Sequence, residues 1–182
     1  MLQQPKKKKV QAVIDEETFM DEVEAMERAL YRVSRSLLKS PEDCADAVQE
    51  ALARAWARRG RVEADYFRPW LMRIVINECH TIGRKRRRVV LVDEVEQPAP
   101  AFEPPDDRLK QALSAVPEKL KVPLLLHYLE GFSVAEVAQI LRIPQGTVKS
   151  RLHHARKRLR VEWEARIRPD RACSTLTDGD FE

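Results

Sequence analysis

Residues 133–160 contain a concentration of basic side chains that suits contact with an anionic polymer. Between Lys149 and Arg160 the sequence has six Lys or Arg residues and no Asp or Glu. A helix face that meets only water usually carries both signs, whereas a row of one sign attracts the phosphates of a nucleic acid. The segment therefore predicts a nucleic-acid-binding surface, with an ordinary solvated helical hairpin as the alternative interpretation.

The same residues predict two helices that are separated by a sharp turn. Ser133 and Glu136 form the S-x-x-E pattern of a capping box at the start of the first helix. The second helix begins near Pro144 or Gln145, because a proline disfavours the helical conformation for the residue before it. The expected inward stripe of this helix is Val148, Leu152, Ala155 and Leu159. The pattern is a helix-turn-helix, whose second helix fits a DNA major groove.

The outward side of the second helix carries groups that can read and hold DNA. It comprises Gly146, Lys149, Ser150, His153, His154 and Lys157. Hydroxyl, imidazole and ammonium groups form hydrogen bonds with base edges. The guanidinium groups of Arg151, Arg156 and Arg158 are expected to contact phosphates and position the helix.

A second polar helix face is predicted after Phe67, where Pro69 fits the first turn of a helix. The expected inward stripe is Leu71, Ile74, Val75 and Ile82, and the other side aligns Trp70, Arg73, Asn77, His80 and Arg84. An indole stacks on bases, an amide reads a base edge, and guanidinium groups hold phosphates, so this face suits single-stranded bases. The alternative is that Trp70 belongs to the core and the rest is solvated. Glu78 falls inside the apolar stripe, and we expect a basic partner for it at a helix boundary.

A third face lies on the helix that Ser40 and Pro41 are expected to start. Its inward stripe is Cys44, Val48, Ala51, Leu52 and Ala55, and its outward side shows Asp46, Gln49, Glu50, Ala53 and Ala57. Small residues with two acids allow another helix to approach closely and to pair its basic groups. A solvated face built from good helix formers is the alternative.

The elements that position these faces indicate an all-α protein. The chain of 182 residues is 34% charged and 6% aromatic and has five glycines, which favours helices with small cores. We predict two small helical domains joined by a flexible linker, the second containing the helix-turn-helix. The first domain spans 15–88, the acidic proline-rich linker 89–105, and the second domain 106–165. Loose ends are expected at 1–14 and 170–182.

Three local features of these domains are also predicted. Residues 60–66 are expected to form a loop, and the run of five cations at 84–88 is expected at a helix end near an anionic polymer. In the second domain, Pro123 is expected to mark a fresh turn. The residues expected to be buried beside it are Val122, Leu125, Leu126 and Leu129.

Several classes of protein are disfavoured by what the sequence lacks. It has no apolar run long enough for a bilayer, no secretory signal, and no Gly-rich phosphate loop or nucleophile with a base. The three cysteines are widely spaced without a zinc-ligand pattern, which favours reduced thiols in a cytoplasmic protein. We therefore predict no catalytic residue, no cofactor, no metal site and no membrane contact.

Three segments together resemble one family. They are DAVQEALARAW at 46–56, FRPWLMRIVIN at 67–77 and GTVKSRL at 146–152. Over about residues 19–162 the chain resembles the extracytoplasmic-function class of bacterial sigma factors, the minimal sigma subunits of RNA polymerase. The resemblance implies a protein that binds core RNA polymerase and promoter DNA, and that is controlled by an anti-sigma factor.

The resemblance also implies roles for the residues of each face. Asp46, Gln49 and Glu50 would contact the coiled coil of the large clamp subunit of polymerase. Asn77 would receive a flipped base of the −10 element beside Trp70, Arg73, His80 and Arg84. The −35 element would be read by Lys149, Ser150, Arg151, His153, His154, Lys157 and Arg158. This chain departs from the family at Arg142, where a glycine is usual, and at His154, where arginine is common.

Two other functions compete with the sigma factor at this point. A freestanding helix-turn-helix regulator would need a dimerisation surface, and it leaves the faces around Asp46 and Asn77 unexplained. An enzyme would need a catalytic constellation that the sequence does not contain. The sigma factor accounts for all three faces.

Overall fold

The computed structural model describes residues 14–89 and 107–167, and within them the chain forms helices connected by short turns. The α-helices are α1 (Glu16–Leu37), α2 (Pro41–Arg58), α3 (Phe67–Val89), α4 (Asp107–Ser114), α5 (Glu118–Tyr128), α6 (Val134–Leu141) and α7 (Gln145–Ile167). The all-α prediction is confirmed for this part of the chain. Most of the predicted linker and the predicted loose ends lie outside the described residues.

The first domain is a bundle of α1, α2 and α3, each in contact with the other two. The Oδ1 atom of Asp15 accepts the Thr18 N–H at 2.9 Å and so starts α1, and Ser40 Oγ accepts the Asp43 N–H at 3.2 Å to start α2. The Phe19 ring meets the edges of the Trp56 and Phe67 rings at centroid distances of 5.2 and 5.3 Å. This aromatic cluster ties the start of α3 to both other helices.

The connection from α2 to α3 is more ordered than the loop that the sequence predicts. It contains two 3-10 turns, Arg59–Arg61 and Ala64–Tyr66. The guanidinium carbon of Arg59 lies 3.6 Å from the centroid of the Trp56 ring, and the Ile14 N–H donates to the Val62 carbonyl at 3.3 Å. The segment is a connection as predicted, but its order was not predicted, because the hydrogen bond from Ile14 comes from the N-terminal chain, which local turn signals do not reveal.

The second domain consists of α4 to α7, and α5 differs from the prediction. Pro123 lies inside α5 and is buried, so the helix continues through the proline where a fresh turn was predicted. Leu129 is 41% exposed and Leu124 is 4% exposed, which makes the predicted burial of Leu129 wrong. Val122, Leu125 and Leu126 are buried as predicted. The helix ends at Tyr128 and Leu129 is its C-cap, so the helical phase that buries the other three residues does not extend to Leu129.

The helix-turn-helix follows the sequence prediction closely. Both arms of the capping box are formed: the Glu136 N–H donates to Ser133 Oγ at 3.2 Å, and the Ser133 N–H donates to Glu136 Oε2 at 2.8 Å. Arg142 ends α6 in the left-handed region with φ 54° and ψ 46°. Val148, Leu152 and Ala155 of α7 are buried, which confirms three of the four residues of the predicted stripe, and Leu159 is half-buried.

The two domains pack against each other through α1 with α5 and α3 with α6. Their buried residues form one continuous apolar cluster that contains Met72 and Ile76 of α3 together with Leu126 and Val137 of the second domain. The predicted stripe of α3 omitted Met72 and Ile76, which are 0% and 3% exposed. This helix is buried over a wider arc than predicted, since it contacts α6 in addition to α1 and α2.

Candidate nucleic-acid interface

The outward face of α7 is open to solvent along its first three turns. Lys149, Ser150, His153, His154 and Lys157 are all exposed, and Arg151 is half-buried. Ser150 Oγ donates to the Thr147 carbonyl at 3.0 Å, which leaves its lone pairs free to accept a hydrogen bond. The rings of His153 and His154 meet edge to face with centroids 5.6 Å apart. Hydrogen-bonding groups therefore line one side of a helix that has the dimensions of a major-groove reader.

The cations of α7 divide into two groups that the sequence did not separate. Arg158 lies 2.8 Å from Glu162, and Arg160 lies 2.7 Å from Glu164, both as i,i+4 ion pairs. Hydrogen bonding to Arg166, with Arg158 close by, lowers the pKa of Glu162 from its ordinary value. Because α7 extends past Arg160, Glu162 and Glu164 lie beside Arg158 and Arg160 on the helix surface. The row of positive charge without a neighbouring acid therefore covers Lys149 to Lys157 only.

A pocket on α3 gathers several of the residues predicted to read the −10 element. Its volume is about 440 Å³, and its lining residues are Asn77, His80, Thr81, Arg84 and Arg87. Thr81 Oγ1 donates to the Asn77 backbone carbonyl at 2.9 Å and accepts from Arg84 at 3.4 Å. The side-chain amide of Asn77 has no hydrogen-bond partner within the described part of the chain. It is therefore free to meet a base in a pocket flanked by two guanidinium groups.

The structure places the other two predicted residues of this face outside the pocket lining. Trp70 and Arg73 are half-buried on the preceding turns of α3, and the Trp70 ring lies 6.0 Å from that of Phe67. The sequence analysis missed Thr81 and Arg87 as pocket residues. Thr81 follows Asn77 by four positions and so lies on the same face of the helix. The helical spacing that placed Trp70 and Asn77 on one face could therefore have predicted Thr81 as well.

Two ion pairs with buried carboxylates hold α3 against α2. Arg54 pairs with Glu78, whose side chain is 7% exposed, at 2.5 Å, which confirms the expected basic partner at a helix boundary. Arg86 forms a bidentate pair with Asp43, with a shortest contact of 2.7 Å. One member of the predicted cationic run therefore fixes the end of α3 instead of facing an external anion.

The outward face of α2 is exposed at Asp46, Gln49 and Glu50. Glu50 Oε1 accepts from Arg54 Nε at 2.8 Å, so Arg54 joins this face to Glu78. Asp46 has no ion pair within residues 14–89 or 107–167. The small residues predicted for this face, Ala53 and Ala57, are exposed beside the acidic groups.

The two cysteines within the described residues are held away from solvent. Cys44 and Cys79 are buried free thiols, and burial raises the pKa of Cys79 to about 12. No three His, Cys, Asp or Glu side chains within residues 14–89 and 107–167 are placed to hold a metal. No helix in these ranges is both long and apolar enough to cross a membrane.

A helix-turn-helix with an exposed cationic helix, together with a separate polar pocket on another domain, is the arrangement of a two-domain DNA-binding protein. Family models agree with this division. Residues 23–89 match the model of sigma-70 region 2, and residues 106–159 match that of sigma-70 region 4.

Individual sigma factors are similar to this chain over most of its length. The RNA polymerase sigma-E factor of Streptomyces coelicolor is 33% identical over 161 residues, covering 81% of this chain and 87% of that protein. The sigma factor SigW of Bacillus subtilis is 28% identical and covers 81% of this chain and 90% of that protein. A solved structure of the sigma factor RpoE with the anti-sigma factor NepR, from Bartonella quintana, superimposes with a TM-score of 0.71 at 30% identity, covering 84% of this chain and 98% of RpoE.

The chain belongs to the extracytoplasmic-function class of the sigma-70 family. It is a sigma factor that directs RNA polymerase to promoters, and this family consists of transcription initiation factors.

Proposed function

We propose that the two domains divide promoter recognition between them, with residues 15–88 reading the −10 element and residues 106–165 reading the −35 element. The observation that carries this proposal is the unpaired amide of Asn77 in an open pocket that Arg84 and Arg87 also line. Such a pocket suits one extruded base with its adjacent phosphates. The face of α7, by contrast, suits the edges of a continuous duplex.

At the −35 element, α7 lies in the major groove. Lys149, Ser150, His153 and His154 probe base edges, because they project away from the buried stripe at Val148 and Leu152. Arg151 and Lys157 contact phosphates at the rim and add affinity without sequence preference. Arg158 contributes less to phosphate binding than the sequence suggests, because Glu162 neutralises part of its charge.

At the −10 element, α3 captures a base of the non-template strand after the duplex unpairs. The Asn77 amide reads the base edge, and His80, Arg84 and Arg87 hold the flanking phosphates. Trp70 and Arg73 support the pocket from the preceding turns of α3. Extruding a base costs a few kcal/mol, which contacts in the pocket offset.

Core polymerase binds the outward face of α2. Asp46 and Glu50 pair with basic groups of a polymerase helix, Gln49 adds a hydrogen bond, and Ala53 and Ala57 allow close approach. Polymerase thus carries both domains to one promoter, so each DNA contact can be weak by itself. The solved relative RpoE was crystallised with an anti-sigma factor, and we expect an anti-sigma partner for this chain, which acts in the cytoplasm.

Run-off transcription with bacterial core polymerase, with and without the full chain, tests the proposal. Wild type should produce a defined transcript, and Asp46→Arg should lose it because core binding fails. Asp46 is a cleaner site for this substitution than Glu50, since Glu50 also orients Arg54. Glu24→Arg, a charge reversal at an exposed acid of α1, is the matched control and should transcribe normally.

Permanganate footprinting on the same template separates melting from binding. Asn77→Ala should bind polymerase and the closed promoter normally but expose unpaired thymines at least tenfold less. Gln111→Ala, an exposed amide on α4, is the matched control. Normal melting by Asn77→Ala would remove the base-reading role, and the absence of any transcript from wild type on a panel of bacterial promoters would contradict the proposed function.

A further inference from the structure

A charge pair with a buried carboxylate joins the two domains. Arg32 Nε and Nη2 on α1 donate to Glu130 Oε1 and Oε2 at 2.7 and 2.8 Å. Residue 130 follows α5, so the pair spans 98 positions of the sequence. The Glu130 side chain is 3% exposed, whereas that of Arg32 is 28% exposed. Hydrogen bonding to Glu130 raises the pKa of Arg32 above its ordinary value, so the guanidinium stays charged.

A second contact between the domains uses a residue of the proposed −10 face. His80 Nε2 lies 3.3 Å from Glu118 Oε1, at the first residue of α5. Around these polar contacts the domains share a continuous apolar cluster that includes Met72, Ile76 and Leu126. The second domain therefore covers apolar surface of α3 and touches the rim of its DNA pocket.

This closed arrangement is too short to reach both promoter elements at once. The centres of elements named −10 and −35 lie about 25 base pairs apart, or about 85 Å of duplex at 3.4 Å per base pair. A compact body of about 140 residues has a radius of gyration of about 14 Å, and so measures about 40 Å across. Residues 90–106 connect the domains, and a chain of that length spans up to about 55 Å when extended. When the domains separate by up to that length, the distance between their DNA-facing helices can match the about 85 Å between the two promoter elements.

We propose that the Arg32–Glu130 pair is a latch that holds the protein in a closed state unable to engage a promoter. This inference rests on the proposed function for its consequence, although the latch itself is a property of the chain alone. The closed state buries the Glu130 carboxylate, and a buried carboxylate that loses a cationic partner is strongly unfavourable. Opening returns Glu130 to water, so removing the Arg32 charge shifts the equilibrium toward the open state.

Closing and DNA capture also compete for one side chain. His80 faces Glu118 in the closed state, whereas in the proposed complex it faces DNA phosphate. Polymerase and promoter thus bind only the open state. Their binding therefore shifts the equilibrium between closed and open molecules toward the open state.

Fluorescence energy transfer within the full chain measures the latch directly. Labels are attached at Glu24→Cys on α1 and Gln111→Cys on α4, both exposed, in a Cys173→Ser background. The remaining thiols, Cys44 and Cys79, are buried and do not compete for label.

Reversing one charge should open the protein, and reversing both should close it again. Arg32→Glu and Glu130→Arg should each raise the ratio of open to closed molecules at least tenfold. The double variant should return that ratio to within about threefold of wild type. Exchanging the charges of Arg160 and Glu164, an exposed pair within α7, is the matched control and should leave energy transfer unchanged.

Circular dichroism establishes that each variant keeps its helices, and Arg32→Gln replaces Arg32→Glu if the latter does not fold. Unchanged energy transfer in folded single variants would overturn the latch, as would low transfer in wild type. Failure of the double variant to restore closure would overturn the specific pairing. Because this measurement needs no polymerase, a wild type that closes but does not transcribe would contradict the proposed function and leave the latch intact.

Discussion

The two DNA-facing helices, α3 and α7, are held in their domains by different means. Side chains that are polar or charged and yet buried occur beside α3 and on it, at Ser34, Arg35, Asp43 and Glu78. The inward residues of α7, by contrast, are Val148, Leu152 and Ala155, all apolar. Apolar contacts fix how deeply a helix is buried, whereas an ion pair also fixes which atoms must meet, and so fixes rotation and register.

The difference matches what each helix is proposed to bind. A single extruded base must meet a pocket whose walls are set to within a fraction of an ångström, and α3 has ion pairs near its middle and near its C-terminal end. A duplex presents repeating edges and phosphates, which an exposed helix face meets along its length. The comparison suggests that buried charge in the first domain serves position more than stability.

The largest expected effect on stability comes from removing an apolar contact in the second domain, and it is compared with the removal of an ion pair in the first. Replacing Glu78 by Leu should change the free energy of unfolding by less than about 1 kcal/mol, because it removes a buried carboxylate and leaves Arg54 half exposed and still paired with Glu50. Leu152→Ala in the second domain should cost about 3 kcal/mol, because it leaves a cavity. Urea titrations of both variants measure this.

A second measurement on Glu78→Leu tests whether Glu78 positions α3 for base capture, independently of the free energy of unfolding. Permanganate reactivity of the −10 element should fall about tenfold in Glu78→Leu, which corresponds to about 1.4 kcal/mol. Closed-promoter binding should be unchanged. A variant that loses several kcal/mol of stability while melting promoters normally would reverse the comparison.

Substitutions on α7 should separate base reading from phosphate binding. Ser150→Ala or His153→Ala should change the ranking of −35 duplex variants by about 1–3 kcal/mol at one position. Arg156→Ala should weaken all variants alike and lower the salt slope by about one unit.

Arg158→Ala is the matched control for Arg156→Ala, and its effect on the slope should be smaller because Arg158 already pairs with Glu162. Fluorescence anisotropy of the full chain on a duplex panel at several salt concentrations measures both quantities. Equal slopes for the two arginine variants would show that the i,i+4 pair does not screen Arg158.

The smallest expected effect concerns the turn between α6 and α7. Arg142 has φ 54°, a conformation that costs a non-glycine residue about 1 kcal/mol. Arg142→Gly should therefore raise the stability of the second domain by up to about 1 kcal/mol, measured by thermal unfolding. Arg142→Ala keeps the unfavourable geometry and controls for loss of the guanidinium, and an equal gain from alanine would contradict the backbone explanation.

Features with local causes were predictable from the sequence. The capping box at Ser133, the turn at Arg142 and the stripe through Val148 all follow from residues within a few positions of each other, and each prediction is confirmed. The basic partner of Glu78 was also expected, because a carboxylate in an apolar stripe needs one.

Features that depend on distant residues were not predictable. The burial of Met72 and Ile76 requires α6, and the pair of Arg32 with Glu130 joins segments that share no local signal. Leu129 was misplaced because the helical spacing of Val122, Leu125 and Leu126 was continued to a residue that lies just past the end of α5. Glu162 and Glu164, by contrast, lie only four positions after Arg158 and Arg160, so their pairing was a local signal that the sequence prediction missed.

The latch between α1 and the end of α5 has a consequence for how output depends on the number of copies of the protein. Because both partners belong to one chain, they meet at a fixed effective concentration in the millimolar range, whatever the total concentration. Dilution of the protein does not open the closed form. Overproduction does not exhaust the latch, because every new molecule carries its own. An inhibitor on a separate chain can be exhausted by excess target, which gives a threshold. With an internal latch, twice as many molecules supply twice as many open ones, so the response stays proportional to synthesis.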